Sequence, residues 1–103
     1  MLTFEKVLEI FKDYLDQDME LEVCKSRYGY LCVSFDGASS ESPYCVGELY
    51  QTPEKLFNRL LSEYQTFESI RLTKGRRDEN ETDMDQVSRL CQKYLDRREE
   101  EMK

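Results

Sequence analysis

Residues 52–77 read TPEKLFNRLLSEYQTFESIRLTKGRR and carry a long amphipathic pattern. Apolar side chains recur there at intervals of three and four, which places them along one side of an α-helix: Leu56, Phe57, Leu60, Leu61, Tyr64 and Phe67. Thr52 is a good N-cap, and Pro53 suits the first helical position, where no N–H is needed. Gly75 predicts the end of the helix. An apolar stripe of this length needs a cover, so we expect the rest of the chain to pack against it.

Two further helices are predicted, one near each end of the sequence. Residues 3–15 have apolar side chains at helical spacing, and Thr3 can cap the start. The last helix follows a charged connector, with Thr82 or Asp83 as its cap. Its apolar stripe consists of Met84, Val87, Leu90, Cys91, Tyr94 and Leu95. We expect the tail to fray from about residue 97.

The stretch between the first two helices predicts a small antiparallel sheet. Residues 19–27 and 30–36 alternate between apolar and polar side chains, and Tyr28 with Gly29 forms a turn between them. Residues 36–43 are a polar loop by composition, and residues 44–50 predict a third strand. The order α-β-β-β-α-α indicates an α+β fold in which helices cover one face of a three-stranded sheet. At 103 residues, 1–103 is a single domain.

The reactive side chains argue against an enzyme and against a metal site. Histidine is absent, and the four cysteines form no C-x-x-C pair, so the short-spaced ligand pairs of a zinc site and a histidine base are both missing. We expect buried, reduced thiols, with Cys24 facing Cys32 across the hairpin as an alternative. No glycine-rich phosphate loop is present. We therefore predict no catalytic residues and no cofactor.

Location follows from the lack of apolar runs. No stretch approaches the ~20 residues that cross a bilayer, and Glu5 beside Lys6 is untypical of a secretory signal. We expect a cytoplasmic protein that does not enter a membrane. The last helix is also a candidate for pairing with its copy in a homodimer.

Charge is segregated along the chain, which has a formal net charge of −7. Acidic residues dominate before residue 51 and after residue 77, and basic residues dominate between them. One candidate surface, named the acidic face, comprises Glu5, Glu9, Asp13, Asp16, Glu20 and Glu22. Neighbours four apart on a helix stand about 5–6 Å apart, a spacing comparable with that of nucleic-acid phosphates. The acidic face is therefore either an ordinary solvated surface or a nucleic-acid mimic that binds a basic protein.

The second candidate surface, named the basic cluster, comprises Arg71, Lys74, Arg76 and Arg77. It either complements the negative end of the central helix, with neutralisation by Asp78, Glu79 and Glu81, or binds phosphates or an acidic protein. Because non-specific nucleic-acid binding depends on excess cations, the net negative charge disfavours direct binding of nucleic acid by the whole chain.

Two resemblances bear on function. The order α-β-β-β-α resembles the double-stranded-RNA-binding domain, but the start of the central helix carries a single lysine, Lys55, where that family is lysine-rich. The segments MLTFEKVLEIFKDYL, TPEKLFNRLLSEYQTF and RLTKGRRD are similar to small acidic proteins of Firmicutes mobile elements and prophages. Some of those are anti-CRISPR proteins.

The second resemblance implies a non-enzymatic inhibitor that binds a protein with a basic surface, such as a CRISPR nuclease, and occupies its nucleic-acid groove. The alternative is a nucleic-acid-binding accessory protein that uses the basic cluster.

Overall fold

The computed structural model describes residues 1–36, 44–74 and 76–102, and it confirms the predicted α+β class. The elements in chain order are α1 (Phe4–Ile10), α2 (Lys12–Leu15), β1 (Leu21–Ser26), β2 (Gly29–Asp36), β3 (Tyr44–Tyr50), α3 (Pro53–Thr73) and α4 (Glu81–Glu101). The predicted loop at residues 36–43, apart from its first residue in β2, and the predicted helix stop at Gly75 lie outside the described residues.

The sheet is an antiparallel meander with the order β1-β2-β3. Its first turn lies one residue earlier than predicted, because Gly29 already opens β2 with a φ of 147°. The register pairs Val23 with Cys32 and Cys24 with Leu31. Since side chains alternate between faces, Cys24 and Cys32 point to opposite sides of the sheet, and the alternative that they face each other is wrong. Cys24 is exposed, which also corrects the expectation of a buried thiol there.

The three main helices pack together on the face of the sheet that carries Cys32. The ring of Phe4 in α1 stacks on Tyr30 in β2 with centroids 4.6 Å apart. Deeper in the core, Phe11 contacts Phe57 of α3 at 5.1 Å and Tyr94 of α4 at 4.6 Å. The predicted stripe of α3 is confirmed, with Leu56, Phe57, Leu60 and Tyr64 buried and Leu61 and Phe67 packed beside them. Fully burying such a side chain contributes about 1.5–3 kcal/mol.

The helix at residues 3–15 is divided in two. Thr3 caps α1 as predicted, and its side chain accepts a hydrogen bond from the Lys6 amide. The regular helix stops at Phe11, which has φ −97° and ψ 11°, and resumes at Lys12. Phe11 is fully buried, so the break lies where the chain meets α3 and α4.

The ends of the other helices differ from the sequence expectations. Lys74 terminates α3 in the left-handed conformation, with φ 57°. Asn80 caps α4, and Asp83 completes a reciprocal capping box as the third helical residue, so neither Thr82 nor Asp83 is the N-cap. Helix α4 continues past residue 97 to Glu101, whose carbonyl accepts a hydrogen bond from the Met1 amino group at 3.2 Å.

Candidate partner-binding surfaces

The residues of the acidic face differ in whether a cation balances them. Lys6 lies 3.6 Å from the carboxylate of Glu9, and Lys12 lies 3.1 Å from that of Asp16. In the described part of the chain, no Lys or Arg side chain pairs with three exposed carboxylates: those of Glu5, Glu20 and Glu22. The acidic face is therefore partly compensated, and its uncompensated carboxylates lie in two places: Glu5 on α1, and Glu20 with Glu22 at the start of β1. Glu22 pairs with Val33, so its side chain points to the sheet face away from the helices.

Asp13 has a different environment from the rest of the acidic face. Its carboxylate accepts hydrogen bonds from Lys93 at 3.1 Å and from the Tyr94 hydroxyl at 3.1 Å, and Arg97 lies 3.5 Å away. Burial alone would raise the pKa of Asp13, but the hydrogen bonds from Lys93 and Tyr94 outweigh it and lower that pKa. Asp13 thus connects α2 to α4, and its carboxylate is compensated by Lys93 and Arg97 of α4.

A groove of about 600 Å³ lies beside the uncompensated end of β1. It runs between the turn that precedes β1, the end of β2 and the C-terminal half of α3. Its apolar lining comes from all three segments, namely Met19, Leu21, Phe35, Phe67 and Ile70. The sequence analysis did not predict this groove, because its lining residues belong to different helical and strand patterns.

Charged side chains surround this groove. Asp18, Glu20 and Glu63 supply carboxylates and Arg71 supplies one guanidinium. Glu63 is paired at 2.9 Å with Arg59, a cation that it shares with Glu48. Asp18 accepts a hydrogen bond from the Tyr14 hydroxyl at 2.6 Å and has no Lys or Arg partner among the described residues. The rim at the β1 side is therefore acidic.

Arg59 is a half-buried cation whose role the sequence did not reveal. Its guanidinium contacts Glu63, lies 3.1 Å from Glu48 and donates to the Tyr50 hydroxyl at 3.0 Å. Arg59 therefore connects α3 to β3. Arg59 follows Leu56 by three positions, and this spacing indicates that the two residues lie on the same side of α3.

The basic cluster is only partly available. Arg77 forms a forked contact with Asp83, with the second nitrogen at 3.0 Å, and the guanidinium lowers the pKa of Asp83. The positive charge of Arg77 is thus balanced by the carboxylate of Asp83, and not by Asp78, Glu79 or Glu81 as the sequence suggested. Arg71 lies 3.5 Å from Glu68. Lys74 and Arg76 are exposed and have no acidic partner among the residues that the structure describes.

Asp78 and Glu79, two of the residues expected to neutralise the basic cluster, make other contacts. Glu79 accepts a hydrogen bond from the Ser69 hydroxyl and so faces α3. Asp78 contributes its backbone carbonyl to Arg77 at 3.3 Å. Local neutralisation therefore occurs, but through a capping residue of α4.

Two of the thiols, those of Cys32 and Cys91, lie in the core. Burial raises the pKa of the Cys32 thiol to about 11 and also raises the pKa of Cys91. Within residues 1–36, 44–74 and 76–102, no cluster of three or more Cys, Asp or Glu side chains is arranged to hold a metal ion. None of the described helices is long and apolar enough to span a bilayer.

A comparison of the sequence with protein-family models finds no match, and comparisons with curated proteins and with solved structures also find none. Function is therefore inferred from the residues and their geometry.

Proposed function

We propose that the chain is a non-enzymatic protein-binding module that uses exposed carboxylates to bind a partner with a basic surface. The observation that supports this most directly is the lack of cation partners for Glu5, Glu20 and Glu22 in the described part of the chain. The fold pairs or hydrogen-bonds many of its other carboxylates, including those of Asp13, Glu63 and Asp83. Uncompensated carboxylates are therefore candidates for an external cation.

The net charge of −7 adds a kinetic argument. A strongly acidic protein is attracted to a basic surface over a distance comparable with the Debye length, about 8–10 Å near physiological salt. Such steering raises the association rate and weakens as salt is added. A salt-sensitive association rate is the kinetic signature expected of this binding mode.

The sharpest form of the proposal comes from the resemblance to small acidic proteins of mobile elements. In that form the partner is an RNA-guided nuclease in the cytoplasm, and the carboxylates occupy a groove that otherwise holds nucleic-acid phosphates. Basic grooves of this kind bind phosphates through Lys and Arg, which also pair with carboxylates.

The test is a pull-down against a panel of RNA-guided nucleases, followed by association-rate measurements at several salt concentrations. A triple charge reversal, Glu5→Lys with Glu20→Lys and Glu22→Lys, should weaken binding at least tenfold, because each reversal replaces attraction by repulsion. All three side chains are exposed and have no ion-pair partner within residues 1–36, 44–74 and 76–102, so the fold should tolerate the changes.

The control reverses three other exposed carboxylates and so changes the net charge equally. It combines Asp85→Lys, Glu99→Lys and Glu100→Lys on α4. Binding should survive in this control. Equal losses in the two triple variants would show that only overall charge matters, and unchanged binding in the first variant would refute the proposed surface.

The exposed cations Lys74 and Arg76 favour a second candidate function, direct nucleic-acid binding. Filter binding of DNA and RNA at low salt tests it, because phosphate contacts are strongest there. Retention that disappears in Lys74→Glu with Arg76→Glu would support this alternative. An absence of retention at low salt would remove it.

A further inference from the structure

We infer that the groove between the turn before β1, the end of β2 and the C-terminal half of α3 receives an apolar side chain of the basic partner, next to a Lys or Arg of that partner. This inference rests on the proposed function and adds to it the place and chemistry of the anchor. The groove volume of about 600 Å³ lies within the range of ~300–1,000 Å³ that is typical of ligand-binding pockets.

The apolar lining indicates the chemistry of the anchor. Met19 is 85% exposed and Ile70 is 57% exposed, and both line the groove. Phe35 and Phe67, which are half-buried, also line the groove. Clustered exposed apolar side chains with a polar rim are typical of protein-interaction sites. An aliphatic or aromatic anchor would cover them.

The rim indicates which residues should flank that anchor. The carboxylates of Asp18 and Glu20 have no Lys or Arg partner among the described residues, whereas Glu63 shares Arg59 with Glu48. Arg71 at the α3 side is close to Glu68, at 3.5 Å. A cation beside the anchor would therefore be attracted, and an acidic occupant such as a second copy of this chain would be opposed by charge.

The acidic rim is held in place before any partner binds. Asp18 accepts hydrogen bonds from the Tyr14 hydroxyl at 2.6 Å and from the Glu20 amide at 3.0 Å. The Phe35 amide donates to the Glu20 carbonyl at 2.7 Å, which attaches the turn to β2. A rim that is already ordered loses little conformational entropy on binding, which favours affinity.

The experiment titrates three short synthetic peptides into the isotope-labelled full chain and follows backbone amide NMR signals. The first peptide has a leucine pair flanked by lysines, the second replaces the leucines by serines, and the third replaces the lysines by glutamates. The first should bind tightest, with the largest shifts at Met19, Phe35 and Ile70. The second should bind at least about fivefold more weakly, because it lacks the anchor that hot-spot pockets require.

Two variants distinguish binding of the anchor in the groove from non-specific hydrophobic binding. Ile70→Ser should weaken the first peptide about tenfold, the usual effect of truncating a central contact. Met102→Ser is the matched control, because Met102 is also 57% exposed and lies outside the groove. It should leave the affinity unchanged. Circular dichroism of both variants establishes that the fold is intact.

The outcomes separate this inference from the proposed function. Equal binding of the leucine and serine peptides, with no effect of Ile70→Ser, would contradict the inference about the groove. It would not contradict the proposed binding through exposed carboxylates. Equal binding of the glutamate peptide, or no binding of either lysine peptide, would overturn both. Light scattering that showed a dimer lost in Ile70→Ser would assign the groove to a second copy and overturn the basic-partner inference.

Discussion

Asp13 offers a stringent test of how the helices are joined. Its carboxylate in α2 accepts hydrogen bonds from Tyr94 and Lys93 of α4, and it also lies close to Arg97. We predict that Asp13→Ala destabilises the fold and does not act mainly through partner binding. The substitution removes the acceptor of a tyrosine hydroxyl and the counter-ion of two cations.

The magnitude follows from the exposure of each group. Tyr94 is only 1% exposed, and leaving a buried hydroxyl without its partner costs about 1–3 kcal/mol. The side chains of Asp13 and Lys93 are 39% and 45% exposed, so their ion pair is screened and contributes at most about 1 kcal/mol. We therefore expect Asp13→Ala to lower the free energy of unfolding by about 2 kcal/mol.

Urea unfolding followed by circular dichroism measures this loss. Tyr94→Phe removes the hydroxyl itself, so the double variant with Asp13→Ala should be about 1 kcal/mol more stable than the sum of the single losses predicts. Asp16→Ala is the matched control, because Asp16 contacts the exposed Lys12 and should change stability by less than about 0.5 kcal/mol.

The pH dependence of the loss provides an independent check. The folded-state pKa of Asp13 is lowered, so its stabilisation is fully present above its unfolded pKa of about 3.9 and is lost as pH falls through the lower folded value. The difference between wild type and Asp13→Ala should stay constant from pH 7 to pH 5 and shrink below about pH 4. A loss under 0.5 kcal/mol at pH 7, or additive single losses, would refute the reasoning.

Other features of the fold give three further predictions. Phe57→Ala should lower the free energy of unfolding by about 3–5 kcal/mol and Phe57→Leu by less, because Phe57 is fully buried; equal urea midpoints for the two variants would contradict the packing. Gly29→Ala should cost about 1–3 kcal/mol, because φ is 147° and an added Cβ would lie 2.5 Å from a backbone oxygen; an unchanged Tm would contradict this. A thiol reagent, mapped by mass spectrometry, should modify exposed Cys24 much faster than buried Cys32 or Cys91 in the native protein; equal rates would contradict the register.

Several elements of the fold were predictable because they depend on neighbours in the sequence. The spacing of Leu56, Phe57 and Leu60 predicts a helix with one buried side, since a helix brings positions three and four apart together. The alternation around Gly29 predicts a hairpin for the same local reason. Thr3 and Thr52 are caps as predicted, because a cap bonds to an amide within three residues.

Side-chain partners that are distant in the sequence came from the packing of those elements. Asp13 meets Lys93 because α2 and α4 lie side by side, and no local spacing encodes that contact across 80 positions. The groove likewise assembles Met19, Phe35 and Ile70 from a turn, a strand and a helix. Periodicity reports which side of an element is apolar, whereas the partner of a charge depends on which elements share a surface. The fold class could therefore be predicted from the sequence. Only the three-dimensional arrangement shows which carboxylates of the acidic face are paired within the fold and which have no cation partner among the described residues.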